Sequence, residues 1–537
     1  MAARMPTAIA IAEPTRRGHG KQRYRTVTFA ELEADTGRIA SGLILHGLRP
    51  GMRVALLVRP GIDFIAIVFA LLKTGAVQIL IDPGMGKRNL LRCLADAEPE
   101  GFIAVPTAHA VRSLAMSCFP KSRLHVTVGS RWWWTGPTLD EVRAAGTPEF
   151  TAIDTLADDP AAIIFTTGST GPAKGVLYRH RNFDRQVAEI GDFYDIRPGE
   201  IDVPGFPLFG LFNAAMGVTT VIPEMDPSRP AKVDPTKVVA GIHLWGATQS
   251  FGSPAIWNSV GRYCEKNHVQ LPTLRRVLSA GAPVPPHVLA RMQQWIPRDG
   301  EIHTPYGATE ALPVASISAG EVMGETAARS RAGGGTCVGR RFPGIAWKVI
   351  RIVDGPIATI DPIDELPPDT IGELIVRGAV VTREYATRRQ ANALAKIADG
   401  EEVWHRMGDV GYLDEQERFW FCGRAAHRVL TARGPMYTIP CEAIFNNHPS
   451  IYRSALVGIG APGRQHPVIV AEPWPGTMPR WRAGRQKLRD ELRELGKANS
   501  LTAAIDHVLL HSSMPVDIRH NAKIFREQLA VWASRRM

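Results

Sequence analysis

The stretch from Thr166 to Val176 constrains this chain most. It reads Thr166-Thr167-Gly168-Ser169-Thr170-Gly171-Pro172-Ala173-Lys174-Gly175-Val176 and holds three glycines, four hydroxyl side chains and one lysine. It follows the apolar run Ala161-Ala162-Ile163-Ile164-Phe165, which reads as a buried strand. Glycines let a loop turn tightly with its N–H groups facing inward, hydroxyls add donors, and Lys174 adds positive charge. That chemistry holds a polyphosphate. The loop is not a Walker A sequence, because Ala173 precedes the lysine and Gly175 follows it.

A strand that feeds such a loop belongs in an α/β layer, and the flanking sequence agrees. Thr28 and Glu31 have capping-box spacing at the start of a helix. Residues 54–58 and 78–81 read as strands, with a helix over 64–72 between them. The alternation predicts an α/β fold with largely parallel sheets. From Phe342 to Val381 short β-rich runs, Ala346–Val353 and Gly372–Val376, alternate with Pro, Gly and Asp turns, as in a small barrel. The last ~110 residues read as a compact α+β unit of ordinary domain size. The first twenty residues are expected to fray, and Trp132-Trp133-Trp134, which cannot share one face, to sit at a surface or edge.

At 537 residues the chain exceeds one core. Its +11 net charge suits an anionic substrate, an acidic partner or a membrane surface, but the basic residues are dispersed, and the densest group, Arg480 to Lys497, is interleaved with acids as on a solvated helix. A nucleic-acid surface is therefore not expected. The six cysteines include no CxxC pair, so neither zinc nor a disulfide framework is indicated and a reducing cytoplasm fits best. The longest apolar region, Phe64 to Ile81, is interrupted by Lys73-Thr74-Gly75 and does not read as a membrane span. GxSxG and HExxH are both missing from the sequence.

Four further segments carry chemistry. Tyr306-Gly307-Ala308-Thr309-Glu310 joins a ring that can stack on a purine to a carboxylate that can bind Mg²⁺. Ser279-Ala280-Gly281-Ala282-Pro283 is a small-residue turn that lets backbone approach a flat ring. Gly408-Asp409-Val410-Gly411 places an acid in a glycine turn, either to hold ribose hydroxyls or as a plain hairpin. Lys523 lies in Arg519-His520-Asn521-Ala522-Lys523-Ile524-Phe525-Arg526.

In this order the segments resemble the adenylate-forming superfamily of acyl-CoA synthetases, luciferases and peptide-synthetase adenylation domains, from about Thr28 to Arg526. The resemblance implies a large adenylation domain over residues 1–423 and a small mobile lid over 424–537, with ATP and Mg²⁺ as cofactors. It implies that Thr166, Thr167, Gly168, Ser169, Thr170, Gly171 and Lys174 hold the β- and γ-phosphates. Gly281, Ala282 and Pro283 would flank adenine and Tyr306, followed by Gly307, would stack on it; Thr309 would touch the α-phosphate and Glu310 bind Mg²⁺. Asp409 and Arg424 would grip the ribose, and Lys523 would bridge the substrate carboxylate and the α-phosphate.

Departures narrow the resemblance. Gly210 follows Phe206-Pro207-Leu208-Phe209 where most acyl-CoA synthetases have His, His427 stands at the hinge, and Ala522 precedes the late lysine. With His303 to Pro313 and Arg519 to Arg526, these look most like the β-lactone synthetases of bacterial long-chain olefin biosynthesis. The resemblance implies adenylation of a 2-alkyl-3-hydroxyalkanoic acid, attack by its own 3-hydroxyl, and partners that are thiolase-like, reductase-like and hydrolase-like, with membrane contact at most peripheral. His180, His303 and His427 are candidate bases for the closure, and Phe206, Phe209, Phe212 and Met216 candidate liners of an alkyl channel. The alternatives are a fatty-acyl-CoA synthetase or acyl-AMP ligase, and a non-catalytic nucleotide-binding scaffold.

Overall fold

The computed structural model describes residues 1–15, 23–166, 172–206, 209–226, 229–361, 363–517 and 523–537. Five parallel strands lie side by side in the order Leu124–Thr127, Gly101–Ala104, Arg53–Leu57, Val77–Leu80 and Pro160–Phe165, and Gly175–Arg179 joins antiparallel at the edge. Their near-continuous apolar sequences suit strands covered on both faces. The helix Ile62–Lys73 follows the strand Arg53–Leu57 and is buried along most of its length. The expected capping box stands at Phe29–Leu45: Glu31 N–H donates to Thr28 Oγ1 at 3.2 Å, and Thr28 N–H donates to Glu31 Oε2 at 2.7 Å.

A second sheet of nine strands is parallel through its centre and antiparallel at both ends. It corrects the expectation of a frayed start. Ile9–Pro14 is one of its inner strands, and Ala10, Ile11 and Ala12 are completely buried. Small residues there let the flanking layers close over the strand, a signal that a basic, irregular first twenty residues obscured. The helices His180–Phe193 and Phe209–Met216 pack where this sheet meets the third.

The third sheet is curled and antiparallel, with Gly372–Arg377, Glu402–Leu413 and Phe419–Arg424 among its six strands. The expected strand from Ala346 ends at Ile350. Asp409 does not sit in a hairpin; it lies inside the long strand Glu402–Leu413. Glu373 faces Val410 and Ile375 faces Arg406, so a two-residue step on one strand is matched by a four-residue step on its partner. The surplus forms a bulge around Met407, Gly408 and Asp409, with Gly408 at φ +66°, a conformation that favours glycine.

Beyond Arg424 the chain builds cores of its own, one around Phe445, Leu456, Ile469 and Leu492 and another around Val457, Val468 and Leu529. The charged stretch forms the helix Arg482–Lys497, which buries Leu488, Leu492 and Gly496. Of the three tryptophans, Trp132 and Trp133 are exposed, while Trp134 is buried and donates its indole N–H to Thr127 Oγ1 at 2.8 Å. Among the described residues no helix is long and apolar enough to cross a membrane.

Candidate active site

Thr166, Lys174, Gly281, Ala282, Pro283, Tyr306, Gly307, Thr309, Glu310, Asp409, Arg424, His427 and Lys523 line one cavity of about 2310 Å³. The neck of the glycine-rich loop is closed by two hydrogen bonds: Thr166 N–H donates to Lys174 O at 3.0 Å, and Lys174 N–H donates to Thr166 Oγ1 at 3.2 Å. Thr167, Gly168, Ser169, Thr170 and Gly171 lie outside the described residues. The ammonium of Lys174 sits 4.8 Å from the centre of the Tyr385 ring.

That tyrosine is the hub of the polar end. Its hydroxyl donates to Glu310 Oε1 at 2.7 Å. Thr382 N–H and Oγ1 donate to the Glu310 carbonyl at 2.9 and 3.0 Å, and the Tyr178 hydroxyl donates to the Thr309 carbonyl at 2.7 Å. The turn carrying Thr309 and Glu310 is thus held from three sides. Lys396 lies beside it, partly buried, donating to the Thr382 carbonyl and to Thr382 Oγ1. Burial pulls its ammonium down to about 7, against the opposing fields of Glu310 and Glu384.

Asp409 faces Arg424 across paired strands, and Arg424 Nη1 donates to Asp409 Oδ1 at 2.7 Å. The Tyr306 hydroxyl donates to the other oxygen, Asp409 Oδ2. The adjacent Asp409 charge raises the Arg424 guanidinium further, and burial pushes the Tyr306 phenol well above its ordinary range. Gly281 has φ +94°, which only a glycine turn allows readily. Just before it, the buried hydroxyl of Ser279 lines the cavity without a hydrogen-bond partner among the described residues. A purine nitrogen in this corner would supply one. Among the described residues no three His, Cys, Asp or Glu side chains gather as a metal cluster. The lone carboxylate of Glu310 fits Mg²⁺, which takes one or two carboxylates and completes its shell with phosphate oxygens and water.

Lys523 and His427 reach the cavity from the small unit. Arg526, three residues beyond Lys523, is buried against Glu442, with Nη2 donating to Oε2 at 3.0 Å. Glu442 Oε1 also accepts the Leu456 N–H at 2.8 Å. These bonds anchor the segment that presents Lys523. Burial drives the His427 imidazole down to about 4, and its Nε2 lies 3.4 Å from Glu527 Oε1. His180 and His303 do not line the cavity. His303 packs against the Tyr194 ring instead.

Of the proposed liners, Phe206, Phe209 and Phe212 are in the cavity wall, and Phe209 stacks on Phe251 with centroids 4.0 Å apart. Met216 is not. It is buried in the core, its sulfur packed over Gly191 of the helix His180–Phe193. It lies one turn below Phe212 on the same stripe, where the stripe has already sunk into the core. Gly210, the departure from His, is buried too; a Cβ there would meet Thr220 Cγ2 at 3.1 Å and Ile65 Cδ1 at 3.3 Å. Tyr385, Thr382, Lys396 and His405 were missed. His405 was findable, since it shares a strand with Asp409 and lines the same cavity. The other three stand outside any motif.

The family model described as AMP-binding enzyme matches residues 1–386. The chain is 46% identical to the olefin beta-lactone synthetase of Xanthomonas campestris pv. campestris over 99% of its own length and 96% of that protein. It is 45% identical to the olefin beta-lactone synthetase of Stenotrophomonas maltophilia, with the same coverage. Among solved structures it superposes on the amide bond synthetase McbA from Marinactinospora thermotolerans with a TM-score of 0.78 at 21% identity, covering 98% of this chain and 97% of that one.

Proposed function

The chain belongs to the AMP-binding enzyme family, and from that premise we propose that it is an AMP-forming ligase that makes a β-lactone from a long-chain 2-alkyl-3-hydroxyalkanoic acid. The observation that carries the reading is the convergence of Lys174, Glu310, the Asp409–Arg424 pair and Lys523 on one cavity whose remaining walls are largely apolar. The identity to two olefin beta-lactone synthetases along nearly the whole chain supports the choice of product.

In the first half-reaction the substrate carboxylate attacks the α-phosphorus of ATP, and pyrophosphate leaves. Lys174 and the loop before it hold the β- and γ-phosphates; Lys523 offsets the charge gathering between carboxylate and α-phosphate. Glu310, held by Tyr385, would carry Mg²⁺, which when bound neutralises phosphate oxygens. Gly281, Ala282 and Pro283 border the adenine and Tyr306 stacks on it. Asp409 takes the ribose hydroxyls while Arg424 keeps it aimed.

In the second half-reaction the 3-hydroxyl oxygen attacks the acyl carbonyl, the bond to AMP breaks, and the hydroxyl proton leaves to a base. The nucleophile is tethered, so proximity replaces a second substrate. Ring strain opposes closure, and the mixed anhydride drives it. His427 is the one of the three histidines considered that lines the cavity, and it is neutral near pH 7, as a base must be. Residues 424–537 act as the lid, turning at His427. The reading also places the protein in the cytoplasm, beside thiolase-like, reductase-like and hydrolase-like enzymes that supply the acid and consume the lactone.

The test is product analysis by mass spectrometry with ATP, Mg²⁺ and the hydroxy acid, with and without CoA. A dehydrated β-lactone with AMP, independent of CoA, is expected. An acyl-CoA formed only with CoA overturns the proposal.

A further inference from the structure

The apolar part of the cavity is lined by both faces of the short helix Phe209–Met216: Phe209 and Phe212 on one side, Leu211 and Ala215 on the other. The two faces serve different cores. Phe209 and Phe212 pack with Ile190, Tyr194 and Val187, whereas Leu211 packs with Phe64, Val68 and Leu80. Where the helix touches Ile62–Lys73, Gly210 lies against Ile65 and fills the gap between them.

Each side continues into its own wall. On one, Val187 and Ile190 of the helix His180–Phe193, and Tyr194 just past its end, face the cavity together with Phe251. On the other, Phe64, Val68 and Leu72 face it, spaced four residues apart along one stripe of Ile62–Lys73. This second wall runs past the carboxyl ends of the parallel strands, at Leu56 and Leu80, to Val111, which is 41% exposed. The carboxyl edge of a parallel sheet is where such folds open a crevice.

We propose that the helix Phe209–Met216 is a septum and that the two arms it separates each take one of the two hydrocarbon chains of an acid branched at C2. The inference rests on the substrate reading above. A straight-chain acid needs one arm; a 2-alkyl-3-hydroxy acid has two chains diverging from adjacent carbons and needs both. The arm along Phe64, Val68 and Leu72 ends at the partly exposed Val111, so its chain has no sharp length limit.

The test pairs Leu72→Trp with Val187→Trp, because both side chains are only partly buried and face the cavity. Pyrophosphate release is measured with three acids: both chains long, only the 2-alkyl chain short, and only the 3-hydroxyalkyl chain short. Each variant should lose at least about tenfold in kcat/KM on the long–long acid, in the range one pocket contact commands. Each should recover on a different mixed acid. If both recover on the same acid, or neither discriminates, the two arms are not separate and the proposal falls. The unmodified enzyme gives the same answer without substitutions. A diazirine at the tip of one chain should label peptide 56–72, and at the tip of the other peptide 187–194; both labels in one peptide overturn it. If straight-chain acids release pyrophosphate and no branched acid does, the substrate reading itself fails and takes the arms with it.

Discussion

The two ends of the cavity are built in opposite ways. The polar end gathers Lys174, Glu310, Asp409, Arg424 and Lys523 from segments spread over some 350 residues of sequence, each at a strand end, turn or bulge. The apolar end uses three helices and the ends of strands whose other faces are ordinary core. At the polar end Glu310, Asp409 and Arg424 are held by hydrogen bonds with fixed directions, and the hydrocarbon walls are held only by packing. The polar end therefore governs whether any acid reacts, and the apolar end which one.

Breaking the polar end should give the largest effects, equal for every acid. Lys523→Ala should cost about 10²–10³-fold in pyrophosphate release, the scale of losing one preorganised donor to developing charge. Asp409→Ala should cost a similar factor in kcat/KM for ATP and lower stability by about 2–4 kcal/mol, because it strands Arg424 and the Tyr306 hydroxyl together. Both are read by stopped assays and thermal melts. If either loss depended on chain length, the division between the ends would be wrong.

Tyr385→Phe should act more gently, about tenfold, by removing the single hydrogen bond to Glu310 Oε1. Its signature is a raised Mg²⁺ requirement at unchanged preference among acids, checked by Mg²⁺ titration. An unchanged Mg²⁺ dependence would separate Tyr385 from the cation site.

The smallest effect concerns pH at the far wall of the apolar end. His109 is fully buried; it accepts Arg112 Nε–H at Nδ1, 3.2 Å, and donates Nε2–H to the Val126 carbonyl, 2.9 Å. Burial lowers its pKa to about 4 from an ordinary 6.5. Between those values the unfolded chain binds the extra proton, so the stabilisation is complete above 6.5 and is lost as pH falls toward 4. Melting temperature should show a flatter fall from pH 7 to 5 in His109→Gln than in the parent, a difference on the order of 1–3 kcal/mol at the acid end. Parallel profiles would rule out His109 as the source.

The same contrast explains how much was legible in the sequence. The capping box at Thr28 and Glu31 and the charged helix at Arg482–Lys497 rest on local spacing, and the structure reproduces both. Lys174, Tyr306, Glu310 and Asp409 stood out because polar chemistry needs particular residues beside glycine. Tyr385, Thr382 and Lys396 did not, since their roles exist only after distant segments meet. Met216 was misplaced because an apolar stripe looks the same whether it faces a core or a cavity. The glycines around Asp409 left a ribose-holding acid and a plain hairpin both open, because a bulge within a strand borrows the same residues as a turn.

That bulge has a bearing on how such a chain can be edited. Opposite Gly372–Arg377 the surplus in Glu402–Leu413 is two residues. Two is even, so the strand leaves the bulge with the same side chains inward as when it entered. Deleting one residue there would invert everything from Val410 onward, taking Val410 and Tyr412 out of the core in which both are buried. Deleting a pair would keep the two faces of the sheet in place and remove only the bulge that carries Asp409. At this point insertions and deletions are therefore counted in twos: the odd ones are lost with the fold, and the even ones are weighed by the nucleotide alone.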